Sequence, residues 1–288
     1  MDPEPISRDF IEHRFCDLPY CRQSPAQKID IYLPNKGRAP YPVLFHIHGG
    51  AFKMCDKADG QVDPYLIYGL ERGYAVTSAN YRMSGEATFP AAVCDLKAAL
   101  RFLRAHAAEY QLDQSRIYPV GGSAGGNLTL MLCTTSRGRY FEDASLGNSG
   151  FSSAVQGGVA WFSPTDFLLM DSFLARNGLG PCDHNQADSP ESEYIGGQIT
   201  TAPEVLVQSA NPANYIFDGM PPLFLEHGRK DHLVPYEESE LFVEKARRSA
   251  PHSRVEFEIL DAADHADPLF CTAANMKKVL DFVDSLWR

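Results

Sequence analysis

The chain has 288 residues, 44% of them hydrophobic and 22% charged, with a formal charge of −11 and a pI near 5.3. That is the composition of a globular protein, long enough to bury a sizeable core in one large α/β domain or two small ones. The negative balance argues against nucleic acid or an anionic membrane surface as partner, because both repel it.

The first stretch, MDPEPISRDF, is acidic and proline-rich, with neither a basic n-region nor an apolar h-region. No later run approaches a membrane span, so a cytoplasmic protein is expected. In chain order, short β-type runs then alternate with helical patterns. Strands are predicted at 28–33, 41–48, 74–79, 116–120, 155–162, 221–227 and 254–260. Between them, 91–110 carries Val93, Leu96, Leu100 and Leu103 on one helical face, and 127–136 reads as a buried helix. Further helices are predicted at 237–249 and 275–287. Several of the strands are nearly continuous apolar runs, as in a parallel sheet covered on both faces. The alternation predicts a doubly wound α/β domain spanning 1–288. Residues 168–220, rich in Gly, Pro, Asp, Ser and Asn, break the rhythm and are expected to form an insertion or lid over one edge of the sheet. The seven cysteines are odd in number and scattered, without a C-x-x-C pair, as expected of reduced thiols.

Within RIYPVGGSAGGNLTL, residues 116–130, four glycines surround Ser123. The spacing fails the G-x-G-x-x-G phosphate loop, whose middle glycine would fall on Ser123, and there is no lysine for a Walker A loop. Gly121, Ser123 and Gly125 match G-x-S-x-G, in which a strand turns sharply into a helix with a nucleophile at the apex. Small neighbours let the two backbones pass closely. A motif this short recurs by accident, so the reading needs independent parts. Asp231, just past the strand at 221–227, and His265, just past the strand at 254–260, supply an acid and a base in the chain order Ser, Asp, His. A loop aspartate commonly serves only its local turn, and a loop histidine is often merely exposed. Of the nine histidines, though, only His265 lies between the last strand and the terminal helix. FHIHGGAF, residues 45–52, follows an early strand and can turn backbone N–H groups into the same site. Four features at strand ends in the required order point to a serine hydrolase.

The same residues resemble the α/β-hydrolase esterases of the hormone-sensitive-lipase-like and bacterial feruloyl/acetyl-xylan-esterase-like (BD-FAE-like) groups. The matching segments are DIYLP (30–34), HIHGGAF (46–52), the run from Asn80 to Arg104, GGSAGGNL (121–128), SPESEYIGG (189–197), PPLFLEHGRKDHLVP (221–235) and His265. The resemblance implies the α/β-hydrolase fold, with Ser123, Asp231 and His265 as triad and the N–H groups of Gly50, Ala51 and Ala124 as oxyanion hole. Lipase-like members often have a third glycine where Ala51 stands; alanine keeps the N–H but narrows the approach for a bulky acyl group. Tyr81 and Arg82 fall on an N-Y-R that similar esterases keep, and structural support is expected of them. Asp95, on the long helix, reads as an exposed or capping carboxylate. Trp161, Phe162 and Asp166 follow a strand and are candidates for the pocket, although large aromatics are usually core. His46 and His48 share a strand face without an accompanying carboxylate or Cys pattern, so no metal is expected, and the chemistry needs no cofactor.

The expected reaction is hydrolysis of a short-chain acyl ester, with an acetylated sugar or oligosaccharide as the small-molecule partner. Asp183, Asp188, Glu191 and Glu193 make 168–220 polar, unlike the apolar lid of an interfacial lipase. Feruloyl esters and the amide substrates of arylformamidases are the alternatives within catalysis; a catalytically silent hydrolase-fold binding module is the alternative outside it.

Overall fold

The computed structural model describes residues 4–287; Arg288 and the first three residues of the acidic start lie outside the described residues. Eight strands form one sheet: β1 (His13–Pro19), β2 (Lys28–Leu33), β3 (Tyr41–Ile47), β4 (Ala75–Ala79), β5 (Leu112–Gly122), β6 (Gly158–Trp161), β7 (Leu223–Gly228) and β8 (Val255–Leu260). The helices are α1 (Leu70–Arg72), α2 (Ala91–Ala105), α3 (Ala124–Thr134), α4 (Met170–Asn177), α5 (Pro190–Ile195), α6 (Glu204–Ser209), α7 (Glu237–Ser249) and α8 (Ala273–Asp284). The spatial order is β1-β2-β4-β3-β5-β6-β7-β8. β2 pairs antiparallel with β1 and β4, and every pairing from β4 to β8 is parallel.

Successive strand side chains point to opposite faces, so β3 feeds two cores. Val43, Phe45 and Ile47 join Leu96, Leu100 and Leu103 of α2, Leu128 and Met131 of α3, and Phe242 of α7. Leu44 points the other way, with Val76, Val120 and Val159, and meets Met276, Val279 and Val283 of α8. Helices therefore cover both faces, which is why the central strands read as continuous apolar runs.

Three elements differ from expectation. β1 carries no strong apolar run because it is an edge strand whose side chains are exposed or half-buried. The helix predicted to reach residue 110 ends at Ala105. Residues 168–220 hold α4, α5 and α6, and place Met170, Tyr194 and Ile195 in the main core despite their weak periodicity.

Asp95 corrects a further expectation. It is fully buried on α2 rather than exposed. Its carboxylate takes both the Arg82 guanidinium, at 2.8 Å from Nη2 and 2.9 Å from Nε, and the Arg82 backbone N–H, at 2.9 Å. Gln27 Nε2 donates to it at 2.8 Å. This node fixes the chain leaving β4 against α2 and β2. Removing one partner of a buried ion pair strands the other charge, so Arg82→Ala is expected to lower the unfolding free energy by about 3–5 kcal/mol. Urea unfolding tests it, as a lower midpoint at unchanged slope.

Candidate active site

The end of β5 turns into α3 at Ser123, whose φ of 56° and ψ of −125° place it outside the ordinary regions for a side-chain-bearing residue. Its N–H is held by the carbonyl of Trp161 at 3.0 Å. The surrounding glycines are required by close approach. A Cβ at Gly125 would run into the carbonyls of Ile47 and His48, and one at Gly126 into Ser163 and the Trp161 carbonyl. Here the start of α3 slides directly beneath the end of β3.

β7 and β8 run parallel and in step, Gly228 opposite Leu260, so the loops leaving them emerge side by side. One presents Asp231 and the other His265. His265 Nε2 lies 3.1 Å from Ser123 Oγ, and its Nδ1 lies 2.8 Å from Asp231 Oδ2. The carboxylate partner fixes the tautomer: Nδ1–H donates to Asp231, and Nε2 is left to accept from the serine hydroxyl. Asp231 is fully buried, and its Oδ1 accepts the N–H groups of Leu233 at 2.9 Å and Val234 at 2.8 Å. Burial by itself would raise this carboxyl, but His265 and His227 more than offset it and hold it well below the ordinary carboxylate range.

The turn after β3 runs beside the serine, where a Cβ at Gly49 would sit 3.4 Å from Ser123 Cβ. Gly50, Ala51 and Phe52 all have positive φ, at 95°, 54° and 60°. The turn is closed by Lys53 and Met54 donating to the Gly50 carbonyl. Tyr81 braces it from below, stacked on His48 at 4.5 Å. Gly49 N–H is engaged by Gln61 Oε1 at 2.8 Å. Gly50 and Ala51 follow Gly49 in this turn, and Ala124 opens α3 at the positive end of the helix dipole.

Of the pocket candidates, Phe162 packs its ring edge-on against His265, with centroids 4.8 Å apart. Trp161 lies in the core, against Tyr65 and Phe270 at 5.7 and 5.6 Å. The Asp166 backbone N–H is held by the buried Glu238 of α7 at 2.6 Å, while its carboxylate accepts from the Leu168 N–H. His46 bonds Ser78, and burial pushes its imidazole down to about 3. Two of the acidic residues that make 168–220 polar are engaged in pairs. Glu191 is buried against His184, and Glu193 pairs with Lys53 at 2.6 Å. Sequence reasoning also passed over His227, a fully buried second imidazole 3.3 Å from Asp231 Oδ2. It passed over Asp264 too, which joins the acid and base loops by accepting from the N–H groups of His232 and His265. A histidine at the end of a strand and four residues before the acid was the available signal for the first.

The parallel sheet and this strand-end geometry define an α/β-hydrolase. The BD-FAE family model matches residues 29–246. The chain belongs to that family. It is 30% identical over 239 residues to the probable carboxylic ester hydrolase LipM of Mycobacterium tuberculosis, covering 81% of this chain and 51% of that protein. It spans about half the length of several curated relatives that it matches. Among solved structures, a truncated carbohydrate esterase from gut microbiota superposes with a TM-score of 0.84 at 26% identity, covering 99% of both chains. A bifunctional GH43-CE protein of Bacteroides eggerthii superposes with a TM-score of 0.82 at 32% identity, covering 96% of this chain and 38% of that one. Among the described residues no helix is long and apolar enough to cross a membrane, and no cluster of His, Cys, Asp and Glu could hold a metal ion.

Glu226, fully buried behind Phe162, gives a pH test. Burial pushes its carboxyl up to about 7, against a hydrogen bond from Asn275. A carboxyl raised on folding stabilises the fold while protonated. Its contribution is complete below the ordinary value near 4.3 and is lost as pH rises through about 7. Glu226→Gln is therefore expected to match the parent near about pH 4 and to exceed it in stability near about pH 9. Urea midpoints at the two pH values check this; the same offset at both would contradict it.

Proposed function

We propose that the protein is a serine carboxylesterase acting on short-chain acyl esters, with an acetylated carbohydrate as its substrate. The observation that carries the proposal is the chain of contacts from Ser123 Oγ through His265 to the buried Asp231, at a strained strand-to-helix turn. Ser123 attacks the ester carbonyl while His265 Nε2 takes its proton, and Asp231 stabilises the imidazolium that forms. The N–H groups of Gly50, Ala51 and Ala124 receive the developing oxyanion, each worth on the order of 10²–10³ in rate. His265 then protonates the leaving alcohol, and water attacks the acyl-enzyme with the same residues in the same roles.

In this proposal the whole chain, 1–288, is one hydrolase domain with 168–220 as its insertion, working in the cytoplasm without a metal or cofactor. The carbohydrate assignment is supported by the similarity to the gut-microbiota carbohydrate esterase and the bifunctional GH43-CE protein. It is also supported by Asp183 and Asp188, which stay exposed on the insertion where an interfacial lipase would be apolar.

Ser123→Ala is expected to abolish nearly all esterase activity with an unchanged circular dichroism spectrum. Asp231→Asn should cost roughly 10⁴ in turnover, because the imidazole then loses its tautomer and its counter-charge. EDTA should leave the rate unchanged. An active Ser123→Ala enzyme would overturn the assignment.

Substrate is tested by kcat/KM for 4-nitrophenyl acetate, butyrate and palmitate, methyl ferulate, and acetylated xylo- or manno-oligosaccharides. One methylene changes binding by only about 1–3 kcal/mol, so the extremes are informative. The acetylated oligosaccharides are expected to lead. Preference for palmitate would refute the short-chain reading; preference for methyl ferulate would keep the mechanism and replace the acyl group.

A further inference from the structure

Residues 168–220 reach the acid loop through a buried side chain, His184, in the connection between α4 and α5. Its imidazole is buried, and both ring nitrogens face acceptors: Nδ1 lies 3.0 Å from Glu191 Oε2 and Nε2 lies 2.9 Å from the Leu233 carbonyl. A neutral imidazole has one N–H; satisfying an ionised carboxylate and a carbonyl together requires two. The carbonyl of Leu233 and the N–H of Val234 belong to one peptide group, and that N–H donates to Asp231 Oδ1 at 2.8 Å. A cation hydrogen-bonded to one end of this peptide polarises it and strengthens the donor at the other end.

His184 is itself firmly held. Asp171 of α4 accepts the backbone N–H groups of His184 and Asn185 at 2.9 and 3.0 Å. α5, which carries Glu191, is fixed on its other side to the turn after β3. There Tyr194 stacks on Phe52 at 3.9 Å and Glu193 pairs with Lys53. The segment between them leaves no slack, since a Cβ at Gly180 would run into the His232 carbonyl.

Building on the hydrolase assignment above, we propose that His184, as an imidazolium, is a positioning residue for the catalytic acid, acting through the Leu233–Val234 peptide. The charged groups packed against it are Glu191 from α5 and Asp171 from α4; the acid loop presents only the neutral Leu233 carbonyl. Burial opposes its protonation, but Glu191, the Leu233 carbonyl and Asp171 together raise its pKa. The clamp is therefore complete at low pH and is lost as pH rises through the raised value.

The test counts competent sites with an organophosphonate that labels Ser123, then measures kcat and KM per labelled site on 4-nitrophenyl acetate from pH 6 to 10, with the imidazole nitrogens followed by ¹⁵N NMR. In the parent, the His184 ring is expected to carry both protons at neutral pH, and kcat should fall on an alkaline limb. His184→Gln should lower kcat per labelled site about tenfold, change KM less than about threefold, and lack that limb. Glu191→Gln, which keeps the shape of the site, should move the limb to lower pH and serves alone if His184→Gln does not fold. A neutral His184 ring at pH 7, or variants with parental kcat per site and an unmoved limb, would overturn the proposal while leaving the esterase assignment standing. A parent that neither labels nor turns over ester would overturn both.

Discussion

The arrangement of this molecule depends on the passage of the β5–α3 turn beneath the end of β3. At Gly125 the backbone of the new helix meets the carbonyls of Ile47 and His48 with no room for a side chain. That approach forces Ser123 into a conformation costing on the order of 1–3 kcal/mol, which the surrounding structure must over-determine. The Trp161 carbonyl on the Ser123 N–H and the buried packing of α3 do so. The same approach brings the turn after β3 alongside the serine, so the candidate nucleophile and candidate oxyanion donors share one steric cause.

Parallel pairing supplies the rest of the arrangement. All strands from β4 to β8 run one way, so their carboxyl ends open on the same edge, the usual place for a ligand in such sheets. β7 and β8 are adjacent and in register, which places the loops of Asp231 and His265 at one level. Bringing the Asp231 carboxylate fully out of water would be costly alone. Two backbone N–H groups and two imidazoles take up its oxygens instead, and this keeps it ionised as partner to His265.

Residues 168–220 are built into this arrangement as a wall. α5 contributes a ring to the Phe52 stack and a carboxylate to Lys53 on one side, and Glu191 to His184 on the other. Its contacts thus reach both the turn after β3 and, through His184, the acid loop, and its Tyr194 and Ile195 belong to the main core. The packing joins elements that are distant in sequence but share the edge where the chemistry is proposed to occur.

Much of this was legible in the residues themselves. Apolar runs of strand length interleaved with amphipathic helices dictate a doubly wound sheet, because each buried strand needs helices on both faces. Glycines around Ser123 report a close backbone approach whatever the partner, and strand ends followed by Asp231 and His265 report where loops must emerge. Other features had no local signature. β1 is an edge strand with little burial and therefore little periodicity. Asp95 and Glu191 look like surface carboxylates because hydropathy marks which face is buried but not which polar group lies opposite. Arg82 meets Asp95, and His184 meets both Glu191 and Leu233, only once the loops and helices have packed. A buried charge is specified by its partner across the fold, and that pairing exists only in three dimensions.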